Sequence, residues 1–470
     1  MTRKIIPIVS AGSEEIGLYE ASRKIYPRTV RGMFARWRWA MVFLTQLLFY
    51  GLPWVEWGGR QMVLFDLAAR RFYIFGLVLY PQDLIYLSGL LVVSALSLFL
   101  FTAVAGRLWC GYACPQTVYT EIFMWVEHKI EGNRTARIRL DKESMSVEKL
   151  VKKWFKHIVW IGIAMWTGFT FVGYFTPVRE LGLAFLQTQT GSWEMFWVFF
   201  YGFATYGNAG FMREQVCKYM CPYARFQSAM FDRDTLIVTY DPQRGEPHAP
   251  RRKGPDPRSL GLGDCIDCGL CVEVCPTGID IRKGLQYECI GCGLCVDACD
   301  TVMQKMAYPP GLIRYDTQNG MEAGWSRRQL LHRVLRPRVL VYTAVLTLLV
   351  AGLLASLVAR TPFKVDVVRD RASLARIAEG GRLENVYRLQ IMNATEKPQH
   401  YRITADGLEG LSVSPDEPVV VDAAQSRWVA VRLQVPYGAV SAGSHTVHFA
   451  IREEGGGAQV SEKAAFLVPR

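Results

Sequence analysis

The stretch that decides the organisation of this chain is Cys265-Ile266-Asp267-Cys268-Gly269-Leu270-Cys271-Val272-Glu273-Val274-Cys275-Pro276. A second run with the same C-x2-C-x2-C-x3-C spacing comprises Cys289, Cys292, Cys295 and Cys299. Paired runs of this type hold two 4Fe–4S clusters, and the fourth cysteine of each run ligates the cluster of the other. We therefore predict cluster 1 on Cys265, Cys268, Cys271 and Cys299, and cluster 2 on Cys289, Cys292, Cys295 and Cys275. Zinc, which prefers pairs with longer spacers, and disulfides are the weaker alternatives.

The remaining four cysteines form two C-x3-C-P motifs, which end at Pro115 and Pro222. On a helix this spacing places both sulfurs on one face, a turn apart, and a proline disturbs the helix just beyond the second thiol. Thiolates suit Cu(I) and iron–sulfur clusters. We therefore predict that Cys110, Cys114, Cys217 and Cys221 offer four thiolates to one metal ion or cluster. A redox-active dithiol and simple core packing are the alternatives.

The composition indicates membrane spans combined with soluble domains. Half of the 470 residues are hydrophobic and 13 are tryptophan, yet the mean hydropathy is only +0.11. A span needs about 20 mostly apolar residues, and we predict five spans, at residues 39–54, 84–105, 157–175, 195–211 and 339–359. Residues 61–80 carry Asp66, Arg70 and Arg71, so we predict an external loop there.

The Lys and Arg distribution predicts the orientation of the chain. Cations are dense in the N-terminal arm and between spans two and three, and sparse in the loops after spans one and three. The N-terminus and all twelve cysteines are therefore predicted on the cytoplasmic face of a bacterial inner membrane, where thiols stay reduced. The net charge of +12 follows from this pattern. We expect no nucleic-acid partner, since no such motif is present.

The pattern changes to period two from Phe363 onward. Residues 428–435 and 446–451 alternate between apolar and polar side chains, and turn residues separate such runs. About seven short strands predict an immunoglobulin-like sandwich. No haem-attachment motif is present.

The predicted fold class is an α-helical integral membrane protein with an inserted bacterial ferredoxin-like domain for two 4Fe–4S clusters and a C-terminal all-β immunoglobulin-like sandwich. The predicted domains are a basic cytoplasmic arm (1–38), a four-span membrane domain with both C-x3-C-P motifs (39–222), a cytoplasmic linker and ferredoxin domain (223–338), a fifth transmembrane helix (339–359) and a periplasmic sandwich (360–470).

Acidic residues follow two of the cysteine motifs. Glu121, Glu127 and His128 lie on a predicted helix after the first C-x3-C-P, and we interpret them as a solvated helix face, with a metal or proton path as the alternative. Asp300 follows Cys299 where the first run has proline, and an acid beside a cluster is expected to lower its potential.

The whole arrangement resembles the cytochrome c oxidase accessory protein family CcoG/FixG/RdxA. The resemblance rests on residues 109–117, 216–225 and 277–295, together with the predicted spans and the C-terminal domain. It implies a cupric reductase that converts Cu(II) to Cu(I) on the cytoplasmic side for assembly of cbb-type cytochrome c oxidase. On this resemblance Cys110, Cys114, Cys217 and Cys221 form the catalytic site, which binds copper or a further cluster. The implied partners are the membrane, copper, a cytoplasmic electron donor and oxidase assembly factors, and a homo-oligomer is left open.

Two other functions are kept as alternatives. The first is a quinol-linked electron conduit, as in related membrane polyferredoxins. The second is a non-catalytic oxidase assembly scaffold, with the sandwich as the partner-binding module. The sandwich and the lack of haem motifs favour copper reduction over the conduit.

Overall fold

The computed structural model describes residues 24–253, 261–370, 375–378 and 380–469, so most of the predicted N-terminal arm lies outside the described residues. The helices are α1 (Met33–Gly51), α2 (Leu84–Ala105), α3 (Leu108–Tyr112), α4 (Pro115–Glu131), α5 (Arg134–Lys142), α6 (Val147–Val172), α7 (Val178–Leu186), α8 (Ser192–Gly207), α9 (Pro222–Ala229), α10 (Pro242–Gly245), α11 (Leu270–Glu273), α12 (Leu294–Met306), α13 (Gln318–Ala323), α14 (Arg327–Arg333) and α15 (Pro337–Val358).

The strands are β1 (Glu56–Trp57), β2 (Arg60–Gln61), β3 (Val63–Asp66), β4 (Arg71–Ile74), β5 (Leu77–Leu79), β6 (Ile237–Tyr240), β7 (Ile313–Asp316), β8 (Phe363–Arg369), β9 (Arg376–Ala378), β10 (Arg382–Asn393), β11 (Gln399–Asp406), β12 (Ser412–Ser414), β13 (Val419–Val421), β14 (Ser426–Pro436), β15 (Gly443–Glu453) and β16 (Gln459–Val468).

The chain divides into two compact units built from separate segments. Unit 1 comprises Met1–Arg36, Met124–Lys156 and Val238–Tyr315, and unit 2 comprises Trp37–Phe123, His157–Ile237 and Asp316–Arg470. The eight cysteines of the two ferredoxin-type runs all belong to unit 1. The four cysteines of the C-x3-C-P motifs all belong to unit 2.

Three helices in the described residues are long and apolar enough to cross a membrane. They are Pro81–Ala105, Val147–Val172 and Pro337–Val358. They overlap predicted spans two, three and five, although the second helix begins ten residues before predicted span three. No part of the most apolar window of the first is buried inside the protein, so its leucines and valines need an apolar solvent. Predicted spans one and four also form helices, α1 and α8, and as spans they stay predictions.

Residues 61–80 fold as a small sheet and not as a helix. Strands β3, β4 and β5 form an antiparallel meander, in which Asp66 pairs with Arg71. Its apolar side, with Tyr73 and Val78, packs against Met392 and Ala424 of the C-terminal domain. The charged residues that argued against a membrane span therefore lie at the β3–β4 turn.

A buried carboxylate fixes the start of α2 within unit 2. The side chain of Asp83 is 3% exposed. It accepts a hydrogen bond from the Tyr80 N–H at 3.0 Å and forms ion pairs of 2.5 Å with both Arg360 and Lys364. Buried charges are stable only when they are paired. Asp83 therefore ties the start of α2 to Arg360, between α15 and β8, and to Lys364 in β8.

The C-terminal region is a two-sheet β structure. One sheet has the order β12-β14-β10-β8, with β9 also paired to β10, and the other has the order β13-β11-β15-β16. Alternate side chains such as Leu433 and Phe449 are fully buried in a common core. The described part of this region contains nine strands, against about seven predicted, because the count includes β9, β12 and β13, which are only three residues long.

The interpretation of Glu127 as part of a solvated helix face is wrong. Its side chain is 1% exposed, and its carboxylate faces Arg137 at 3.2 Å and Lys156 at 3.7 Å. Lys156 also contacts Glu131 at 2.9 Å. Since α4, α5 and α6 each contribute charges, the network holds these helices together in unit 1, and the sequence of α4 alone could not show its partners.

Candidate iron–sulfur and thiol sites

The two ferredoxin-type runs adopt the same local fold in unit 1. Gly269 (φ 67°) precedes α11 and Gly293 (φ 73°) precedes α12. Glycine adopts this left-handed conformation without steric cost. Each glycine thereby places the third cysteine of its run, Cys271 or Cys295, in the first turn of a helix.

Two cavities lie between the runs, and each is lined by four cysteines of one predicted cluster. The first cavity is lined by Cys265, Cys268, Cys271 and Cys299. The second is lined by Cys275, Cys289, Cys292 and Cys295, and Cys271 also reaches it. Four sulfurs around one cavity fit the ligand demand of a 4Fe–4S cluster. The assignment of individual ligands stays a prediction.

The electrostatics of the thiols follow the same two groups. The pKa of Cys299 is raised to about 12, mainly by burial and in part by the charges of Cys271, Asp300, Cys265 and Cys268. Burial also raises the pKa of Cys295 well above its ordinary value, with contributions from Cys292, Cys289 and Cys275. Buried thiolates this close together repel each other, so a positively charged iron core is the group that would stabilise them.

The acid that follows Cys299 has a structural partner. The side chain of Asp300 accepts a hydrogen bond of 2.7 Å from the Gly311 N–H. This contact fixes the loop after α12 and accounts for an acid at the position where the first run has Pro276. The expected lowering of a cluster potential by Asp300 stays a prediction.

Residues 24–36, here called the strap, cover the second run. A Cβ atom on Gly278 would lie 2.8 Å from Ile25 Cδ1, and one on Gly293 would lie 2.8 Å from Phe34 Cγ. The strap residues are therefore in direct contact with the turns that follow Cys275 and Cys292. The sequence predicts only a basic arm for this segment and gives no sign of its contact with the cysteine runs.

An aspartate between two predicted ligands fixes the strap. Asp297 is buried between Cys295 and Cys299, and its carboxylate accepts hydrogen bonds from the Phe34 N–H at 3.2 Å and the Ala35 N–H at 2.8 Å. These N–H groups belong to the first turn of α1, which has no intrahelical acceptor for them. The acidic residue of the second run is thus the cap of α1.

Further contacts hold the preceding part of the strap within unit 1. The Arg28 N–H donates to the Glu273 carbonyl at 2.8 Å, and Arg134 Nε donates to the Tyr26 carbonyl at 3.0 Å. Lys24 forms an ion pair of 2.7 Å with Asp141. Backbone and side-chain contacts therefore fix the strap along its length.

We expect Gly32→Ala to detach the strap. A Cβ atom at this position would lie 2.1 Å from Asp297 Cγ, so either the carboxylate or the strap must move, at a cost of about 1–3 kcal/mol. Hydrogen exchange of residues 24–36 should increase. Gly51→Ala is the matched control, because nothing lies within 4 Å of a Cβ atom there. Equal hydrogen exchange of residues 24–36 in the two variants would contradict the close contact between Gly32 and Asp297.

The C-x3-C-P motifs in unit 2 differ from the expected geometry. Cys110 lies in α3, but Cys114 falls after this helix ends, directly before α4. Cys217 lies in a π-helical turn, and Cys221 is the N-cap of α9. The prediction that each pair lies on one helix is therefore wrong, since each proline begins a helix, where its missing N–H is not needed.

The four thiols nevertheless influence one another. The pKa of Cys110 is raised to about 11, mainly by burial, with contributions from Cys114 and Cys221 and an opposing effect of Arg107. Burial raises the pKa of Cys217 to about 12, and all three other thiols contribute. The two motifs are thus brought together. Among the described residues, no three His, Cys, Asp or Glu side chains are placed to hold a single metal ion.

Polar side chains fix the surroundings of these thiols. Cys110 Sγ lies 3.1 Å from Gln227 Oε1, and Gln227 is buried. Gln116 Nε2 donates to the carbonyls of Asn208 at 2.9 Å and Arg213 at 3.1 Å. Gln116 therefore links the helix after the first motif to the segment before the second. The spacing of the cysteines gave no signal for either glutamine.

Known proteins share this organisation over most of their length. The chain is 39% identical over 422 residues to the nitrogen fixation protein FixG of Rhizobium meliloti, which covers 83% of this chain and 80% of FixG. It is 37% identical over 470 residues to the protein RdxA of Cereibacter sphaeroides, which covers 96% of this chain and 98% of RdxA. The chain belongs to the FixG/RdxA family. RdxB of the same organism is 38% identical, over 87% of each chain.

Family models assign the cysteine motifs and the C-terminal region of this FixG/RdxA protein. A 4Fe–4S dicluster domain matches residues 212–318, and a 4Fe–4S binding domain matches residues 87–133. The IG-like fold at the C-terminal of FixG matches residues 353–469. This FixG/RdxA chain is therefore an iron–sulfur protein with apolar helices suited to a membrane and an immunoglobulin-like C-terminal domain. Both C-x3-C-P motifs fall inside iron–sulfur matches.

Proposed function

We propose that this chain is a membrane-bound electron-transfer protein that reduces Cu(II) to Cu(I) on the cytoplasmic side for assembly of cbb-type cytochrome c oxidase. The observation that carries the proposal is a pair of cavities, each lined by four cysteines. The same chain also brings together the four thiols of the C-x3-C-P motifs. When bound, 4Fe–4S clusters supply one-electron chemistry at low potential. One electron is all that conversion of Cu(II) to Cu(I) requires.

The chain's own residues would divide this work between two sites. The eight cysteines of the runs would hold the clusters, and Gly269 and Gly293 would orient the third ligand of each run. The thiols of Cys110, Cys114, Cys217 and Cys221 would meet copper as a substrate. Soft sulfur ligands favour Cu(I) over Cu(II), so binding at these thiols would favour the reduced product.

Metal analysis and a copper titration test the proposal. Anaerobically purified protein should contain about eight irons, and adding Cu(II) to the reduced protein should bleach its reduced-cluster signal with formation of one Cu(I) per electron. More than eight irons would assign a third cluster to the C-x3-C-P thiols. Clusters that are inert to Cu(II) would exclude the reductase.

A quinol-linked conduit is the second candidate, and one observation favours it. A cavity of about 740 Å³ in unit 2 has aromatic walls that include Trp166, Phe169 and Phe199, with Arg179 as its cation. Its size and apolar lining suit a small amphiphilic molecule. Cluster reduction on adding a quinol to membranes, blocked by Phe169→Asp, would support the conduit, and no reduction would exclude it.

A further inference from the structure

The two predicted cluster cavities differ in their exposure to solvent. Cys268 in the first run is exposed, whereas its counterpart Cys292 is buried. The strap accounts for part of this difference, because Ile25 and Phe34 contact the turns that follow Cys275 and Cys292, two cysteines that line the second cavity. An electron carrier in solution can therefore approach the first cavity more closely than the second.

Cations flank the exposed cysteine on two segments. Arg282 lines the same cavity as Cys268 and forms an ion pair of 2.5 Å with Asp267, the acid next to Cys268. The following residue, Lys283, is exposed. Arg282 also pairs with Asp280 at 2.8 Å, so this one cation is shared by two carboxylates, and the exposed Lys283 adds positive charge to the same segment.

The second segment adds further cations. Arg251 Nη1 donates to the Cys265 carbonyl at 3.1 Å, and its Nη2 donates to the Gly263 carbonyl at 2.5 Å. The next two residues, Arg252 and Lys253, are exposed. The backbone of the first run is thus bordered by positive side chains that have no role in holding a cluster.

Apolar side chains complete the surface. Leu285 is 53% exposed and Tyr287 is 49% exposed, on the same loop as Lys283. An apolar patch bordered by charges is the usual composition of a transient protein interface. We define the docking face as Lys253, Asp267, Cys268, Lys283 and Leu285.

We propose that the docking face binds an acidic one-electron carrier protein of the ferredoxin type, and that electrons enter at the Cys268 edge of the first cavity. The inference rests on the proposed electron-transfer function and adds to it the site of entry and the class of donor. One electron leaves the reduced carrier and enters this protein, and no bond or proton is exchanged. Opposite charges would steer the two proteins together and make association sensitive to salt.

Charge reversal tests the docking face in the full-length protein in nanodiscs. The variant is Lys253→Glu with Lys283→Glu, and the probe is an acidic plant-type ferredoxin. At low ionic strength we expect the double variant to bind oxidised ferredoxin at least about tenfold more weakly, and to be reduced by reduced ferredoxin at least about tenfold more slowly. Both differences should shrink at high salt.

The matched control is Lys129→Glu with Lys142→Glu, which makes the same charge change at exposed positions on α4 and α5 of unit 1. It should stay within about twofold of the unmodified protein, since these lysines lie outside the docking face. Iron content and visible absorbance are checked in both variants. An equal loss of ferredoxin binding and of reduction by ferredoxin in both double variants, or no loss in either, would overturn the proposal. Because binding is read without copper, failure of copper reduction alone would leave the docking face standing.

Discussion

Replacing Cys110 by serine is expected to abolish copper reduction while the visible absorbance of the clusters is kept. Cys110 belongs to unit 2, whereas the eight predicted cluster ligands belong to unit 1. A hydroxyl is a poor ligand for Cu(I), so the rate should fall by more than about tenfold, or more than about 1.4 kcal/mol in the activation barrier. The measurement is single-turnover reoxidation of reduced protein by Cu(II), with Cu(I) quantified by a chelator.

Ala113→Ser is the matched control for this variant. It introduces the same hydroxyl within the same motif and leaves both thiols in place. It should reduce copper at the unmodified rate. Loss of cluster absorbance in Cys110→Ser would make this cysteine structural, and unchanged copper reduction would remove the C-x3-C-P thiols from the reaction.

Replacing Asp83 by alanine is expected to destabilise unit 2 by about 3–5 kcal/mol. The change leaves Arg360 without its carboxylate partner at a position where the guanidinium side chain is only 8% exposed. It also removes the ion pair with Lys364 and the acceptor for the Tyr80 N–H. The measurement is thermal unfolding in nanodiscs, followed by the near-ultraviolet signal of the aromatic residues.

Asp366→Ala is the comparison for this variant. Asp366 also accepts a short side-chain hydrogen bond, from Gln82 at 2.6 Å, but in an exposed setting. Exposed polar contacts contribute little, so the loss should be below about 1 kcal/mol. If the two variants are equally stable, burial does not explain the contribution of Asp83 to the stability of unit 2.

The cysteine sites could be predicted from the sequence because their chemistry requires a fixed local spacing. Four sulfurs must surround one cluster, and the turns between them leave room for few residue types, as at Gly269 and Gly293. The C-terminal strands could be predicted for a similar reason. Apolar and polar residues alternate in their sequence, and this alternation predicts which side chains are buried and which are exposed.

Interactions between distant segments could not be predicted in this way. The cap that Asp297 provides for α1 joins residues more than 260 positions apart, and the buried partners of Glu127 come from two other helices. The sequence predicts that Pro115 and Pro222 disturb a helix, whereas each begins one. Proline disrupts a helix interior but is favoured in the first helical turn. Local sequence does not distinguish these two uses.

The contact between Asp297 and the strap has a consequence for biosynthesis. Residues 24–36 leave the ribosome long before the second cysteine run is made, so the N–H groups of Phe34 and Ala35 meet their acceptor only after more than 260 further residues have been added. Throughout that interval these two N–H groups lack this acceptor. Iron and sulfide that reach the finished second run before the N-terminal segment folds back would therefore enter a cavity that the strap does not yet cover.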